Sequence, residues 1–259
     1  MTQLERLSSL NSFLLEEMPE HKKAAKNFKQ DEQSQFRLFR SLVNMRPPMP
    51  LNPKFLQLQN EYLQQSLQNK VITDIENLAP VEEDLYLWQG DITALHCDAI
   101  VNAANSQMLG CFCPCHKCID NAIHTFAGTQ LRLACFELMK RQGYEEPTGK
   151  AKITPAYNLP CQYVLHTVGP IVQGQLTNHD CELLVSCYRS CLQLAEESGI
   201  ESIAFCCIST GEFHFPNERA AQIAVQTVRD FKAQTHSKIK VIFNVFKDMD
   251  YEIYRELLG

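Results

Sequence analysis

Residues Gly110 to Cys118, GCFCPCHKC, place four of the chain's 12 cysteines and one histidine in a single short loop. Thiolate sulfur and imidazole nitrogen are the donors that zinc prefers in tetrahedral geometry. A closed structural zinc site draws two ligands from each of two separated knuckles, and no second pair at finger-like spacing follows here. Cys135, Cys161, Cys181, Cys187 and Cys191 fall on expected helices or at isolated positions, and Cys206 and Cys207 lie in an expected strand. A thiol in such places packs as a small hydrophobe. The loop must then supply its ligands locally, and three protein ligands with an open position is the arrangement of catalytic zinc. His116 is the loop's nitrogen donor, Cys118 lies two residues on, and Cys111 lies far enough back for the chain to curl round. Cys113 and Cys115 flank Pro114, which stiffens the apex, and spacing alone leaves open a closed four-ligand site that includes either of them. Cys115 and Cys118 also have the spacing of a redox pair, but they open no thioredoxin-like βαβ unit.

Two further junctions have the residue types of a ligand site. Asp91, in QGDIT (89–93), directly follows an expected strand. Its carboxylate suits an exocyclic amine such as that of adenine, or equally a turn or helix cap. CCISTGEFHFP (206–216) runs from an apolar strand through Ser209, Thr210 and Gly211 towards a helix. Successive backbone N–H groups on such a turn form an anion cradle, and Gly211 lets the chain approach a phosphate closely. Phe213 is a candidate wall for a ribose or base, whereas Phe215 reads as core beneath the turn. Asp120 stands where an aspartate caps a helix, and His124, one turn on, can pair with it. His166 reads as a satisfied core histidine, His214 as a support of the loop, and Trp88 as packing.

These junctions need a scaffold that delivers them to one place. Residues 1 to about 80 are polar and Gln-rich, with Leu4, Leu7, Leu10 and Leu14, then Phe55, Leu58 and Tyr62, at helical spacing. MRPPMPLNP (45–53) divides this region into helices on either side of a proline-rich turn. It contains no clear strand signal, and it reads as helices that cover one edge of the main domain. From residue 85 the pattern changes to strands at 85–92, 97–104, 150–156, 162–170, 201–209 and 238–246. Helices are expected at 119–141, at 180–198, from Pro216 onward, and at 250–258. Strands alternating with helices argue for a three-layer α/β domain over 81–259, preceded by a helical extension over 1–80. In such sheets ligands bind beyond the carboxyl ends of the strands, where all three junctions lie.

The chain has 259 residues and a formal net charge of −6, with a pI near 5.8. A nucleic-acid binder shows a basic stripe, and none is visible, so no nucleic-acid partner is expected. No apolar run of about 18 residues exists, so no membrane span is expected. The N-terminus lacks the basic start and small-residue cleavage site of a secretory signal, which makes the cytoplasm the expected location. Cysteines in that reducing compartment read as thiols or metal ligands. Nothing in the sequence points to an oligomer, and a monomer is expected.

Taken in order, QGDIT, DAIVNAANSQMLG, IDNAIHTFAG, YVLHTVGP and CISTGEFHFP resemble the macrodomain family, which binds and processes ADP-ribose. The resemblance covers about 85–246 and implies an α/β/α sandwich around a mixed sheet. The cysteine loop resembles the zinc-dependent branch of that family, whose members carry an N-terminal helical extension and remove mono-ADP-ribose from proteins. The resemblance implies that Cys111, His116 and Cys118 bind Zn2+. Asp91 and Ile92 are then expected at the adenine, with Asp91 on its amino group. Ser209, Thr210, Gly211, Glu212 and Phe213 are expected at the diphosphate, mainly through N–H groups. Asn105 is expected at the distal ribose, Asp120 as the acidic residue of the catalytic loop, and Cys118 and Ile119 among the residues that contact ADP-ribose. The segment between Asn105 and Asp120 departs from the commoner family pattern, carrying the metal motif in place of a run of glycines. Asn121 stands where glycine is usual, and Glu212 and His214 stand where apolar and glycine residues are common. A carboxylate facing a diphosphate is repelled, so Glu212 is expected to offer its N–H and turn its side chain outward.

The expected chemistry is hydrolysis at C1 of the distal ribose, with a zinc-positioned water or ribose, Asn105 orienting the sugar and Asp120 as general base. A carboxylate ester is the expected linkage, because its leaving group is already stable as an anion. The family also implies a lipoyl-carrier protein as the modified partner, together with a sirtuin-like transferase. The alternative is a reader domain that binds ADP-ribose without turnover and uses its zinc structurally.

Overall fold

The computed structural model describes residues 1–259. Helix α1 (Gln3–Glu17) opens with a reciprocal cap. The Glu5 N–H donates to Thr2 Oγ1 at 3.2 Å, and the Thr2 N–H donates to the Glu5 carboxylate at 2.7 Å. A short helix α2 (Lys22–Ala25) leads to α3 (Glu32–Met45), capped by Asp31, and α4 (Pro53–Gln68) starts with proline in its first turn. The proline-rich segment separates α3 from α4, as its ring constraints require. Leu7, Leu10, Leu14, Phe39, Phe55 and Tyr62 give this layer a small core of its own.

The second part of the chain alternates strands and helices. The strands are β1 (Thr73–Asp74), β2 (Leu85–Gln89), β3 (Leu95–His96), β4 (Ala99–Ala104), β5 (Ala151–Pro155), β6 (Tyr163–Val168), β7 (Ser202–Phe205) and β8 (Lys240–Val245). The helices are α5 (Ile119–Ala127), α6 (Thr129–Gln142), α7 (Asn178–Glu197), α8 (Asn217–Thr235) and α9 (Asp248–Leu258). Six strands form the main sheet in the order β2-β8-β7-β4-β6-β5. All neighbours are parallel except β5, which runs antiparallel to β6. The sheet is therefore mixed, and β4, β7 and β8 are buried almost throughout because helices cover both faces. Helix α5 packs against β4 and α6 against β5, while α7 covers β5 and β6 and packs on α8, and α9 packs on α8, β2 and β8.

Three elements differ from the sequence reading. Residues 73–74 form a two-residue strand that pairs with β3. The strand expected at 201–209 stops at Phe205, because the chain turns there to build the loop that carries Ser209. The helix expected over 119–141 breaks at Gly128, whose φ of +97° is closed to most side chains. A Cβ at Gly128 would lie 2.7 Å from the Gln59 amide, so the break is where the helical layer docks. There the Thr129 N–H and hydroxyl both donate to Gln59 Oε1 at 3.0 Å.

The strongest dock is Arg132, buried on α6. Its Nη1 donates to the carbonyls of Val43, Asn44 and Arg46 at 2.8, 2.8 and 2.6 Å, and its Nε donates to the Leu109 carbonyl at 2.6 Å. The last carbonyls of a helix have no partner inside it, and one guanidinium satisfies those at the end of α3. Replacing Arg132 with leucine strands these buried acceptors, and we expect a loss of about 3 kcal/mol of unfolding free energy in urea titration. A loss within about 0.5 kcal/mol, the range of an ordinary surface change, would show that the dock contributes little.

Candidate active site

Parallel pairing puts the ends of β2, β8, β7, β4 and β6 on one edge of the sheet, and the loops after them converge there. The loop after β4 is the longest, running from Asn105 to Cys118 before α5. It brings the Cys111 and Cys118 sulfurs and a ring nitrogen of His116 within 4.8 Å of one another. Cys113 is exposed, and the Cys115 thiol donates instead to the Arg37 carbonyl at 3.4 Å. Of the ligand sets that spacing left open, the structure assembles the one with Cys111, His116 and Cys118.

The donor set fits a zinc ion on two observations. Two sulfurs and one nitrogen within 4.8 Å of one another are the donor types that zinc takes. His116 Nδ1 is buried without a hydrogen-bond partner, while Nε2 lies 3.5 Å from Glu212 Oε1. That pattern leaves Nδ1 free for a metal, with an exposed carboxylate near the other ring nitrogen. The Glu212 side chain is exposed, as expected from sequence, yet it leans over the cysteine loop instead of away from it. Without a metal, burial and the neighbouring Cys111 push the Cys118 thiol up to about 12. A divalent cation reverses that preference by stabilising both thiolates.

Asp120 sits in the first turn of α5 but does not cap it. The cap is Cys118, whose sulfur accepts from the Asn121 N–H at 3.4 Å. Asp120, 5% exposed, accepts from Asn102 Nδ2 at 2.8 Å and lies 3.5 Å from Asn105 Nδ2. Burial raises its carboxyl to about 6, against the pull of the Asn102 amide and the Arg132 charge. His124 Nε2 is 3.5 Å from Asp120, but burial holds that imidazole well below its usual range. The two side chains thus meet as the helix spacing suggests, with burial disfavouring the charged form of the ring. His166 is a satisfied core residue, bonded to Asn102 and Thr154. The sequence reading missed Asn102, although an asparagine inside the apolar run AIVNAA was a visible signal.

The other two junctions stand beside this centre. Asp91 Oδ1 caps the following turn through the Thr93 N–H at 3.0 Å, and Oδ2 meets Lys70 Nζ at 3.3 Å. Ile92 is buried beneath it. Phe246, also unmarked by the sequence reading, is 76% exposed at the end of β8. It adjoins Asp91 because the Gly90 N–H donates to the Val245 carbonyl. In the loop after β7, Ser209 takes a φ of +65°, and a Cβ on Gly169 would collide with its hydroxyl. The Phe215 N–H donates to the Ser209 carbonyl and the His214 N–H to the Gly211 carbonyl, which leaves the N–H groups of Gly211, Glu212 and Phe213 free. Thr210 uses its hydroxyl on the Cys207 carbonyl, and Phe215 is core. Ile119 is half-buried against the main core, beside Cys118.

The Macro domain family matches residues 101–224. A protein-ADP-ribose hydrolase of Treponema medium is 55% identical over the whole of both chains. A Trypanosoma brucei macrodomain in complex with ADP-ribose superposes with a TM-score of 0.66 at 31% identity, covering 85% of this chain and 95% of its own. An Oceanobacillus iheyensis macrodomain mutant with ADPR gives a TM-score of 0.63 at 38% identity, covering 70% of this chain and 95% of its own. The chain belongs to the macrodomain family. No helix is long and apolar enough to cross a membrane.

Gly110 shapes the start of the cysteine loop with a φ of +78°, and a Cβ there would lie 2.8 Å from the buried His124 ring. Gly110→Ala is expected to lower unfolding free energy by about 1–3 kcal/mol, read by denaturant titration. Unchanged stability would mean that the loop tolerates another path.

Proposed function

We propose that this protein is a zinc-dependent protein-ADP-ribose hydrolase that removes mono-ADP-ribose from acidic side chains. One observation carries the reading: the three-ligand cluster, the Asp120 carboxylate and a free N–H cradle meet at a single edge of the sheet. The sequence of the Treponema hydrolase and the ADP-ribose complex of the trypanosomal macrodomain support the same activity and ligand.

An ADP-ribose unit matches the row of loops from end to end. Its adenine suits Phe246 as a stacking face, Ile92 as a floor and the outer edge of Asp91 as acceptor. The free N–H groups between Ser209 and Phe213 suit the diphosphate. The distal ribose then lies towards Asn105, Cys118, Ile119 and Asp120. Cys111, His116 and Cys118 would hold a zinc ion at that end, and the ion would supply Lewis acidity there. The Asn105 amide orients the sugar, and Asp120 accepts a proton from water as its oxygen bonds to C1. The bond from C1 to the protein carboxylate breaks, and its electrons leave with that carboxylate, which needs no proton to depart. The modified partner is read as a lipoyl-carrier protein, on the resemblance of the cysteine loop.

The decisive measurement is release of free ADP-ribose from an aspartate- or glutamate-modified protein. Metal-loaded enzyme is compared with chelated enzyme that circular dichroism shows to be folded. Release is expected to stop on chelation, return with zinc, and fall at least about 100-fold in Asp120→Ala. Release indifferent to chelation would remove the metal from the chemistry, and tight binding without release would make the protein a reader. Phe246→Ala is expected to weaken ADP-ribose binding by about tenfold, the effect of one lost stacking face. Calorimetry that finds no change would place the base elsewhere.

A further inference from the structure

The apex of the cysteine loop has a conformation its own sequence does not favour. The His116 N–H donates to the Cys113 carbonyl at 3.2 Å, closing a turn with Pro114 in second position and Cys115 third. Cys115 takes a φ of +55°. A turn with proline second and positive φ third asks for glycine at the third position, and a cysteine there is strained. Such strain persists only where the surroundings hold it.

Those surroundings come from the helical layer. Asn44 Oδ1 accepts from the strained Cys115 N–H at 2.9 Å, and its Nδ2 donates to Thr125 on α5 at 3.0 Å. The Arg37 carbonyl accepts from the Cys115 thiol. Arg40 spans the segment that carries two of the three metal donors. Its Nη2 donates to the His116 carbonyl at 2.9 Å, and Nη2 and Nε both donate to Asn121 Oδ1, at 2.8 and 3.1 Å. Asn121 in turn donates from Nδ2 to the Cys113 carbonyl at 3.0 Å. Arg37, Arg40 and Asn44 stand at helical spacing on one face of α3, so one rigid element grips the apex and the ligand-bearing limb together.

We propose that Arg40 is a positioning residue for the metal centre, setting His116 relative to Cys118 from outside the macrodomain. The proposal rests on the reading that Cys111, His116 and Cys118 hold zinc. Arg40 touches neither the reacting atoms nor the metal. It fixes the backbone of one ligand and the asparagine three residues beyond another, and the planar fork of arginine is what lets one side chain do both. Supporting groups of this kind are worth about 10–100-fold in metal affinity.

The test uses the full chain, stripped of metal and titrated with zinc against a competing chelator. Arg40→Ala is expected to lower zinc affinity by about 10–100-fold. The chelated variant is expected to stay folded, with some loss of melting temperature because the buried Asn121 Oδ1 loses its donors, and to keep its affinity for ADP-ribose. At limiting zinc kcat falls while KM holds. Arg40→Lys keeps the charge and the stem but cannot bridge both acceptors, so it is expected to remain weakened. It also serves as the readout should the alanine variant fail to fold. Parental zinc affinity in a folded Arg40 variant overturns the proposal and leaves the zinc reading standing. A parent that takes up no stoichiometric zinc overturns both.

Discussion

The site depends on one buried cation. Arg132 reaches from α6 to the three carbonyls that end α3 and to the Leu109 carbonyl, one residue before the glycine that starts the cysteine loop. A guanidinium taken out of water costs several kcal/mol, offset here by four carbonyls on Nε and Nη1, while Nη2 is buried without a partner. Burial lowers its pKa only to about 10, which leaves it charged at neutral pH. Its charge also favours the ionised form of Asp120. The same side chain thus seats the helical layer, starts the loop and biases the carboxylate beside it.

The two halves of the site are built by different means. The side proposed for the adenine and diphosphate rests on backbone: parallel strands end together, and a left-handed Ser209 turns N–H groups out of the loop's own hydrogen bonds. The cysteine side rests on side chains, because a loop between Asn105 and Cys118 has no regular pairing to give it shape. Asn105 fixes the start of that loop by donating to the Gly110 carbonyl at 3.1 Å. Asn121 and the residues of α3 fix its end. His116 and Glu212, 3.5 Å apart, are where the two halves touch. A ligand that moved the loop after β7 would therefore be felt at His116.

Much of this was legible in the chain. Apolar runs such as AIVNAA and SIAF mark strands buried on both faces, and the chemistry-bearing residues follow them directly. The three-donor cluster followed from donor type and family resemblance, and the structure brings the same three residues together. Other features were hidden for physical reasons. The expected helix over 119–141 kept its apolar period through Gly128, and periodicity does not register a single left-handed residue. Phe246 looked like the last residue of a strand, since exposure depends on what the neighbouring chain covers. Arg40 and His116 are 76 residues apart in sequence. Helical spacing shows that Arg37, Arg40 and Asn44 share a face, but not what that face meets.

Charge explains why the cysteine loop lies where it does. Two thiolates at this half-buried site would repel each other, and burial with the neighbouring thiol already pushes Cys118 to about 12. Arg132 lies close enough to feel Cys111, but it is committed to four carbonyls and to the field of Asp120. Two more anions beside it call for a further source of positive charge, which a dication would supply. That balance supports the proposed zinc site alongside donor type and donor spacing.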